Sequence, residues 1–268
     1  MARKGPVKPP ALNKMRDTAV EAAWRAGRVL RKYYEQGRFH VAEKPGAGLV
    51  TNADLEAEAQ AVQILKKAYP KFGFLTEEAK PQAASCPGRW IIDPLDGTTN
   101  FVHGFPMFCV SIAAEWEGEV VVGVIYHPIL KDTYVAVKGK GAYVNGKKIH
   151  VSETERIDEA LLTTGFTYNK KRGLKQEMSA FEVLSSEARA VRRPGSAALD
   201  LAFTACGVFD GFWERNLSPW DVAAGSLLVK EAGGMVTNFS GNSFNLLSPE
   251  ILASNGQIHP QLLRALKK

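Results

Sequence analysis

Residues 90–101 read Trp90-Ile91-Ile92-Asp93-Pro94-Leu95-Asp96-Gly97-Thr98-Thr99-Asn100-Phe101. The leading apolar, β-prone residues suit a buried strand that ends at Asp93. Two carboxylates then stand three residues apart, with a proline locking the backbone between them. Close carboxylates repel, and one of such a pair tends to keep its proton. A divalent cation reverses that penalty, because hard oxygen ligands are what Mg²⁺ takes. Beyond them Gly97 lets the backbone approach a ligand closely. Thr98 and Thr99 bring hydroxyls and free N–H groups to a helix start, where anions bind. Carboxylates followed by a phosphate cradle point to phosphoryl chemistry. Asp-Pro and Asp-Gly are also ordinary turn dipeptides, so the rest of the chain has to decide.

The chain has 268 residues, 45% of them hydrophobic and 23% charged, the make-up of a soluble globular protein. That length serves one large domain or two joined halves. The formal net charge of +6 is spread over scattered basic residues and describes a solvated surface. It comes without the aromatic-basic motif of a nucleic-acid binder. The run Lys170-Lys171-Arg172 reads as a solvated loop or as a guide for an anionic substrate. Cys86, Cys109 and Cys206 are an odd count without CxxC spacing, which suits a reducing cytosol and argues against a zinc site. Residues 1–10 are basic and proline-rich and lack the apolar region of a secretory signal, so a loose tail is expected before a domain over 11–268. No run is apolar enough to span a bilayer. A cytoplasmic protein is the expectation.

Helical spacing of Met15, Val20, Ala23, Ala26, Val29, Leu30 and Tyr33 predicts a helix from Leu12 to about Gln36, stopped by Gly37. A loop carrying Lys44 follows. A second helix is expected to about Tyr69, capped by Thr51 or Asn52 with Asp54 in its first turn. Phe72 to Leu75 is a short strand that delivers Glu77. After the opening motif, strands are expected at 108–114, 120–126 and 133–138. A hairpin turns at Asn145-Gly146, so the centre reads as antiparallel sheet. A polar stretch at 151–158 separates two halves. Beyond it come strands at 160–164 and 188–191 about a helix, then helices at 196–208, 222–232 and 259–268 and a strand at 251–253. The result is a mixed, layered α+β architecture.

Five carboxylates, Asp54, Glu77, Asp93, Asp96 and Asp221, fall at element ends, where functional groups are presented. Singly, Glu77 reads as surface charge and Asp54 or Asp221 as a helix cap. Together they are about what a site of hard oxygen ligands needs. His40, His103, His127, His150 and His259 show no metal-ligand spacing, and no nucleophile elbow or Walker loop is present.

These residues carry a resemblance. Asp93 to Phe101 resembles the first signature of the inositol monophosphatase family, and Trp220-Asp221-Val222-Ala223-Ala224-Gly225 through Gly234 resembles its second. Val50 to Asp54, Thr76-Glu77-Glu78 and Gly195 to Ala198 extend it over nearly the whole chain. The resemblance implies a layered αβαβα sandwich of the sugar-phosphatase type. It implies a Mg²⁺-dependent, Li⁺-sensitive phosphomonoesterase, a homodimer, that hydrolyses myo-inositol 1-phosphate or a related polyol monophosphate. Two to three Mg²⁺ ions are then held by Glu77, Asp93, the Leu95 carbonyl, Asp96 and Asp221. Phosphate rests on the N–H groups of Gly97 and Thr98. Ala197, Glu214, Asp96 and Asp221 face the substrate hydroxyls. Thr98, hydrogen-bonded to Asp54, orients or deprotonates the attacking water, with Glu77 contributing, and no phosphoenzyme forms. Alternatives on the same fold are fructose-1,6-bisphosphate or histidinol phosphate hydrolysis, or a regulatory RNA-associated role. Thr76 stands where animal members carry glycine, and the run Arg192 to Leu201 looks more like bacterial members.

Overall fold

Alternation along β-strands builds three cores into this molecule. The computed structural model describes residues 10–44, 48–166 and 174–267. The basic run at 170–172 and nearly all of the expected tail lie outside them. Helix α1 (Leu12–Gln36) ends at Gly37 in a left-handed conformation, as the sequence predicts. A small antiparallel hairpin, β1 (Val41–Lys44) and β2 (Gly48–Thr51), occupies the segment read as loop. Its strands are short and largely exposed, so no buried apolar alternation marks them. Helix α2 (Asn52–Ala68) follows, capped by Thr51.

A seven-stranded sheet takes its strands in chain order: β3 (Gly73–Thr76), β4 (Gly88–Asp96), β5 (Cys109–Trp116), β6 (Glu119–His127), β7 (Asp132–Val137), β8 (Ala142–Val144) and β9 (Lys147–Ile149). A five-residue helix, α3 (Thr98–Val102), leaves the end of β4. Only β3 and β4 run parallel; every later neighbour is antiparallel.

The second half holds β10 (Leu161–Thr164), α4 (Leu174–Glu187), β11 (Ala190–Arg192), α5 (Ala197–Ala205), β12 (Gly211–Arg215), α6 (Pro219–Glu231), β13 (Met235–Thr237), β14 (Glu250–Ser254) and α7 (His259–Leu266). Its five strands pair in the order β11-β10-β12-β14-β13.

Side chains alternate across each sheet. Trp90 and Ile92 join α1 and α2 in one core, while Ile91 between them joins α5 and α6 in the next. Phe212, Ile251 and Ala253 face that middle core from the five-stranded sheet. Trp213 and Leu252 point the other way, onto α4 and α7. The layers are therefore helix pair, sheet, helix pair, sheet, helix pair, the expected sandwich. Among the described residues, no helix is long and apolar enough to cross a membrane.

Candidate metal and phosphate site

In an unbroken strand, residues three apart face opposite sides of the sheet. Strand β4 escapes this with a bulge. Asp93 lies opposite Ser111 and Asp96 opposite Cys109, so β4 carries one residue more than β5 between the two pairs. The bulge absorbs Pro94, which has no N–H for a ladder, and brings Asp96 back to the side of Asp93. The Leu95 N–H donates to Asp93 Oδ1 at 2.9 Å. The strand thus runs to Asp96 rather than ending at Asp93, because pairing continues where the apolar run stops.

Gly97 has φ +96°, and a Cβ there would stand 2.8 Å from the Met107 carbonyl oxygen. Only glycine meets both demands cheaply. It turns the chain into α3, whose opening N–H groups have no helical acceptor before them. The Thr98 hydroxyl lies 3.0 Å from the Leu95 carbonyl and 3.3 Å from Asp54 Oδ1. Asp54 is wholly buried. Its Oδ2 accepts the Thr51 N–H at 2.9 Å and the Thr51 hydroxyl at 2.6 Å. Burial raises the Asp54 pKa, opposed by those bonds.

Asp221 doubles as the third-residue partner in the capping box of α6, its Oδ2 taking the N–H of the N-cap Ser218 at 2.7 Å. The Ser111 hydroxyl donates to the Trp220 carbonyl at 3.1 Å and ties that helix start to the seven-stranded sheet. Asp96 is held from the second half: its Oδ2 accepts the Ser196 hydroxyl at 2.6 Å and the Ala198 N–H at 2.7 Å.

The outcome is a convergence. One carboxylate oxygen each from Asp93, Asp96 and Asp221 lies within 4.8 Å of the others. Burial, then the neighbouring carboxylates, drives the pKa values of Asp93 and Asp221 well above the usual range. Burial pushes Asp96 up to about 6 against the bonds from Ser196 and Ala198. Such a set is poor company for itself and good company for a hard divalent cation, which turns mutual repulsion into ligand charge. The residues fit the ion.

Glu77, Leu95, Gly97 and Thr98 line the same cavity of about 50 Å³ with the three aspartates. Seven of the predicted site residues are thereby brought together. That volume is room for ions and one or two waters. Lys44 on β1 meets the cavity's Glu77 from outside, its Nζ 3.0 Å from Glu77 Oε1 and 2.5 Å from Glu78 Oε1. Burial works against its charge, but the two carboxylates outweigh burial and its pKa rises. Burial likewise pushes Glu78 up to about 7. Sequence reading assigned Lys44 no role, since it lay in a supposed loop. Its only signal was a lone basic residue just before the Val50-Thr51-Asn52-Ala53-Asp54 motif.

Two predicted residues lie apart from the cavity. Ala197 opens α5 between the Ser196 and Ala198 groups that hold Asp96. Glu214 on β12 borders a separate space of about 10 Å³ with Thr164, Gly165 and Trp213. Burial, then Asp200, Asp221 and Asp96, raises its pKa strongly. Asp200 itself is 1% exposed, and neither carboxylate oxygen meets a hydrogen-bond partner within bonding distance among the described residues; the nearby Thr163 hydroxyl only partly offsets burial. Burial holds its pKa well above the usual range. An aspartate inside the otherwise apolar and alanine-rich 196–208 segment was the available sign of it.

Two carboxylates on a bulged strand and a third at a helix start, beside a glycine–threonine turn, form a cluster that could hold a metal ion. The inositol monophosphatase family model matches residues 11–268, and the chain belongs to that family. An inositol-1-monophosphatase of Caulobacter vibrioides is 44% identical over 253 residues, covering 92% of this chain and 99% of the relative. The Nus factor SuhB of Escherichia coli K12 is 39% identical over 258 residues, covering 96% and 97%. The crystal structure of the extragenic suppressor protein suhB from Bartonella henselae superposes with a TM-score of 0.92 at 43% identity, over 95% of this chain and 99% of that one.

Proposed function

We propose that this chain is a Mg²⁺-dependent phosphomonoesterase that hydrolyses myo-inositol 1-phosphate or a related polyol monophosphate to the free alcohol and phosphate. The observation that carries the reading is the triangle of Asp93, Asp96 and Asp221 beside the Gly97–Thr98 turn. In this reading Glu77, Asp93, the Leu95 carbonyl, Asp96 and Asp221 hold two to three Mg²⁺ ions. Bound there, Mg²⁺ supplies Lewis acidity that polarises phosphoryl oxygens and acidifies water.

The chain's own groups do the rest. The Gly97 and Thr98 N–H groups receive phosphate oxygens. The Thr98 hydroxyl, placed between the Leu95 carbonyl and Asp54 Oδ1, orients the attacking water for in-line displacement. Asp54, backed by Thr51, takes up proton density that passes through Thr98. Glu77, which also lines the cavity, steadies water there. With so little room around the aspartates, the alcohol part of the substrate lies outside, toward Ala197, Glu214 and Asp221. The assay is phosphate release from myo-inositol 1-phosphate with Mg²⁺ and then with EDTA. Undiminished release in EDTA refutes the metal mechanism. Inhibition by Li⁺ is expected, and a homodimer is expected in sedimentation.

A second reading, a regulatory RNA-associated role on the same fold, draws on the formal net charge of +6 and on the Nus factor name of the Escherichia coli relative. Salt-dependent RNA retention by Asp93→Asn supports it; no retention at low salt removes it.

A further inference from the structure

Gly165 follows β10 at a position whose φ lies outside the left-handed region, so the backbone does not call for glycine there. What calls for it is a neighbour. A Cβ built at 165 would stand 2.3 Å from both carboxylate oxygens of Glu214 and 2.4 Å from its Cδ. The Glu214 carboxylate lies flat against the bare Cα, in space that any side chain would take.

The two backbones cannot part to make room. Thr164 pairs with Trp213 in the parallel β10–β12 register, and the Thr164 hydroxyl donates to the Trp213 carbonyl at 2.6 Å. The β12 backbone is held on its other side by β14, with Glu214 opposite Ile251. The yielding element is the end of the glutamate side chain, which has three rotatable bonds. Where it would go matters, because Asp200, Asp221 and Asp96 all act on Glu214. A carboxylate moved by an ångström changes its distance to each of them and to anything bound among them.

We infer that Gly165 is a positioning residue for recognition of the leaving alcohol: its missing side chain sets where the Glu214 carboxylate stands. This rests on the reading above in which Glu214 faces substrate hydroxyls. The class of ligand concerned is a neutral, hydroxyl-bearing alcohol, since a second anionic group would meet three carboxylates, Glu214, Asp200 and Asp221, against the single guanidinium of Arg193 that also acts on Glu214.

The test is a double-mutant cycle of Gly165→Ala and Glu214→Ala, with kcat and KM measured for myo-inositol 1-phosphate and for 4-nitrophenyl phosphate, whose leaving group carries no further hydroxyl. Gly165→Ala is expected to raise KM for inositol phosphate about tenfold with a much smaller change in kcat. The loss with 4-nitrophenyl phosphate should be smaller. In the Glu214→Ala background the added methyl enters vacated space, so its effect should vanish, and any loss of melting temperature should be recovered. Impairment in Glu214→Ala with none in Gly165→Ala overturns the inference and leaves the Glu214 reading standing. Unchanged kinetics in Glu214→Ala overturn both. A crystal structure of Gly165→Ala with the Glu214 carboxylate in its original place overturns the inference whatever the substrate proves to be.

Discussion

Replacing Asp93 by asparagine should make the metal-free protein more stable and the metal-loaded protein less so. Asp93 is 2% exposed, and one of its carboxylate oxygens lies within 4.8 Å of oxygens from Asp96 and Asp221. At that separation and an effective dielectric of about 20, one like-charge contact costs about 3.5 kcal/mol. Proton uptake relieves part of this, and each pKa unit by which the fold raises the group is worth about 1.4 kcal/mol. Asparagine keeps an oxygen for the Leu95 N–H, now at 2.9 Å from Asp93 Oδ1, and removes the charge. In EDTA at pH 8 the variant should therefore melt above the wild type, by about 2–4 °C for each kcal/mol. Saturating Mg²⁺ reverses the order. At one hundred times its dissociation constant a ligand adds about 2.7 kcal/mol, or about 5–11 °C in a chain of this size. The wild type should gain that and the variant almost none, with phosphate release abolished. Melting curves with EDTA and with Mg²⁺ decide it. A variant that keeps the full Mg²⁺ shift is not missing a ligand. One that melts lower in EDTA shows that the carboxylate stabilises the empty cluster, and the repulsion argument fails.

Three further outcomes are expected. Thr98→Ala removes the hydroxyl shared by Leu95 and Asp54 and should lower kcat about 10²–10³-fold, with the Mg²⁺-induced melting shift retained. Asp200→Asn should stabilise by about 1–3 kcal/mol near pH 8, since among the described residues no close hydrogen-bond partner compensates the buried carboxylate. The sign follows from its raised pKa: the folded state prefers the acid form, so wild-type stability falls as pH rises above about 4, and the gap between variant and wild type should widen from pH 4 to pH 8 in thermal melts. Gly97→Ala forces a side chain to φ +96° and against Met107. It should cost about 1–2 kcal/mol in strain alone and weaken Mg²⁺ binding measured by calorimetry, because Asp96 and Thr98 flank it.

The parts of this fold that the sequence discloses are those whose physics is local. Helix α1 and its glycine stop, the Thr51 cap and the Asn145-Gly146 hairpin each depend on neighbours a few residues away, and each is where the pattern puts it. Strand β12 went unread: Gly211 to Arg215 mixes Phe and Trp with Glu and Arg, so it shows no apolar run, and four of its five residues are buried by pairing with β10 and β14. Strand order in the five-stranded sheet is a matter of long-range pairing, to which no local spacing refers. The site divides in the same way. The motif around Asp93 and Asp96 announced itself, while the bulge that lets the two share one side depends on register with β5. Lys44 and Asp200 carry no motif of their own; burial and neighbours from distant segments give them meaning.

The grip on Asp96 has a consequence for how such a protein changes over time. Asp93 and Asp96 belong to the seven-stranded sheet, but the groups that hold Asp96, Ser196 and Ala198, come from the stretch that starts α5. Glu214, which is apart from the cation cavity, also belongs to that second half but sits on β12, away from those groups. On the proposed reading, in which Glu214 faces the substrate hydroxyls, mutations around β12 and the end of β10 explore new alcohols while the cation cavity keeps its lining. Mutations at the start of α5 enjoy no such freedom, because they disturb reactivity and choice of substrate together. Drift in substrate preference among descendants of this chain should accumulate around Gly165 and Glu214 and leave Ser196 and Ala198 nearly untouched.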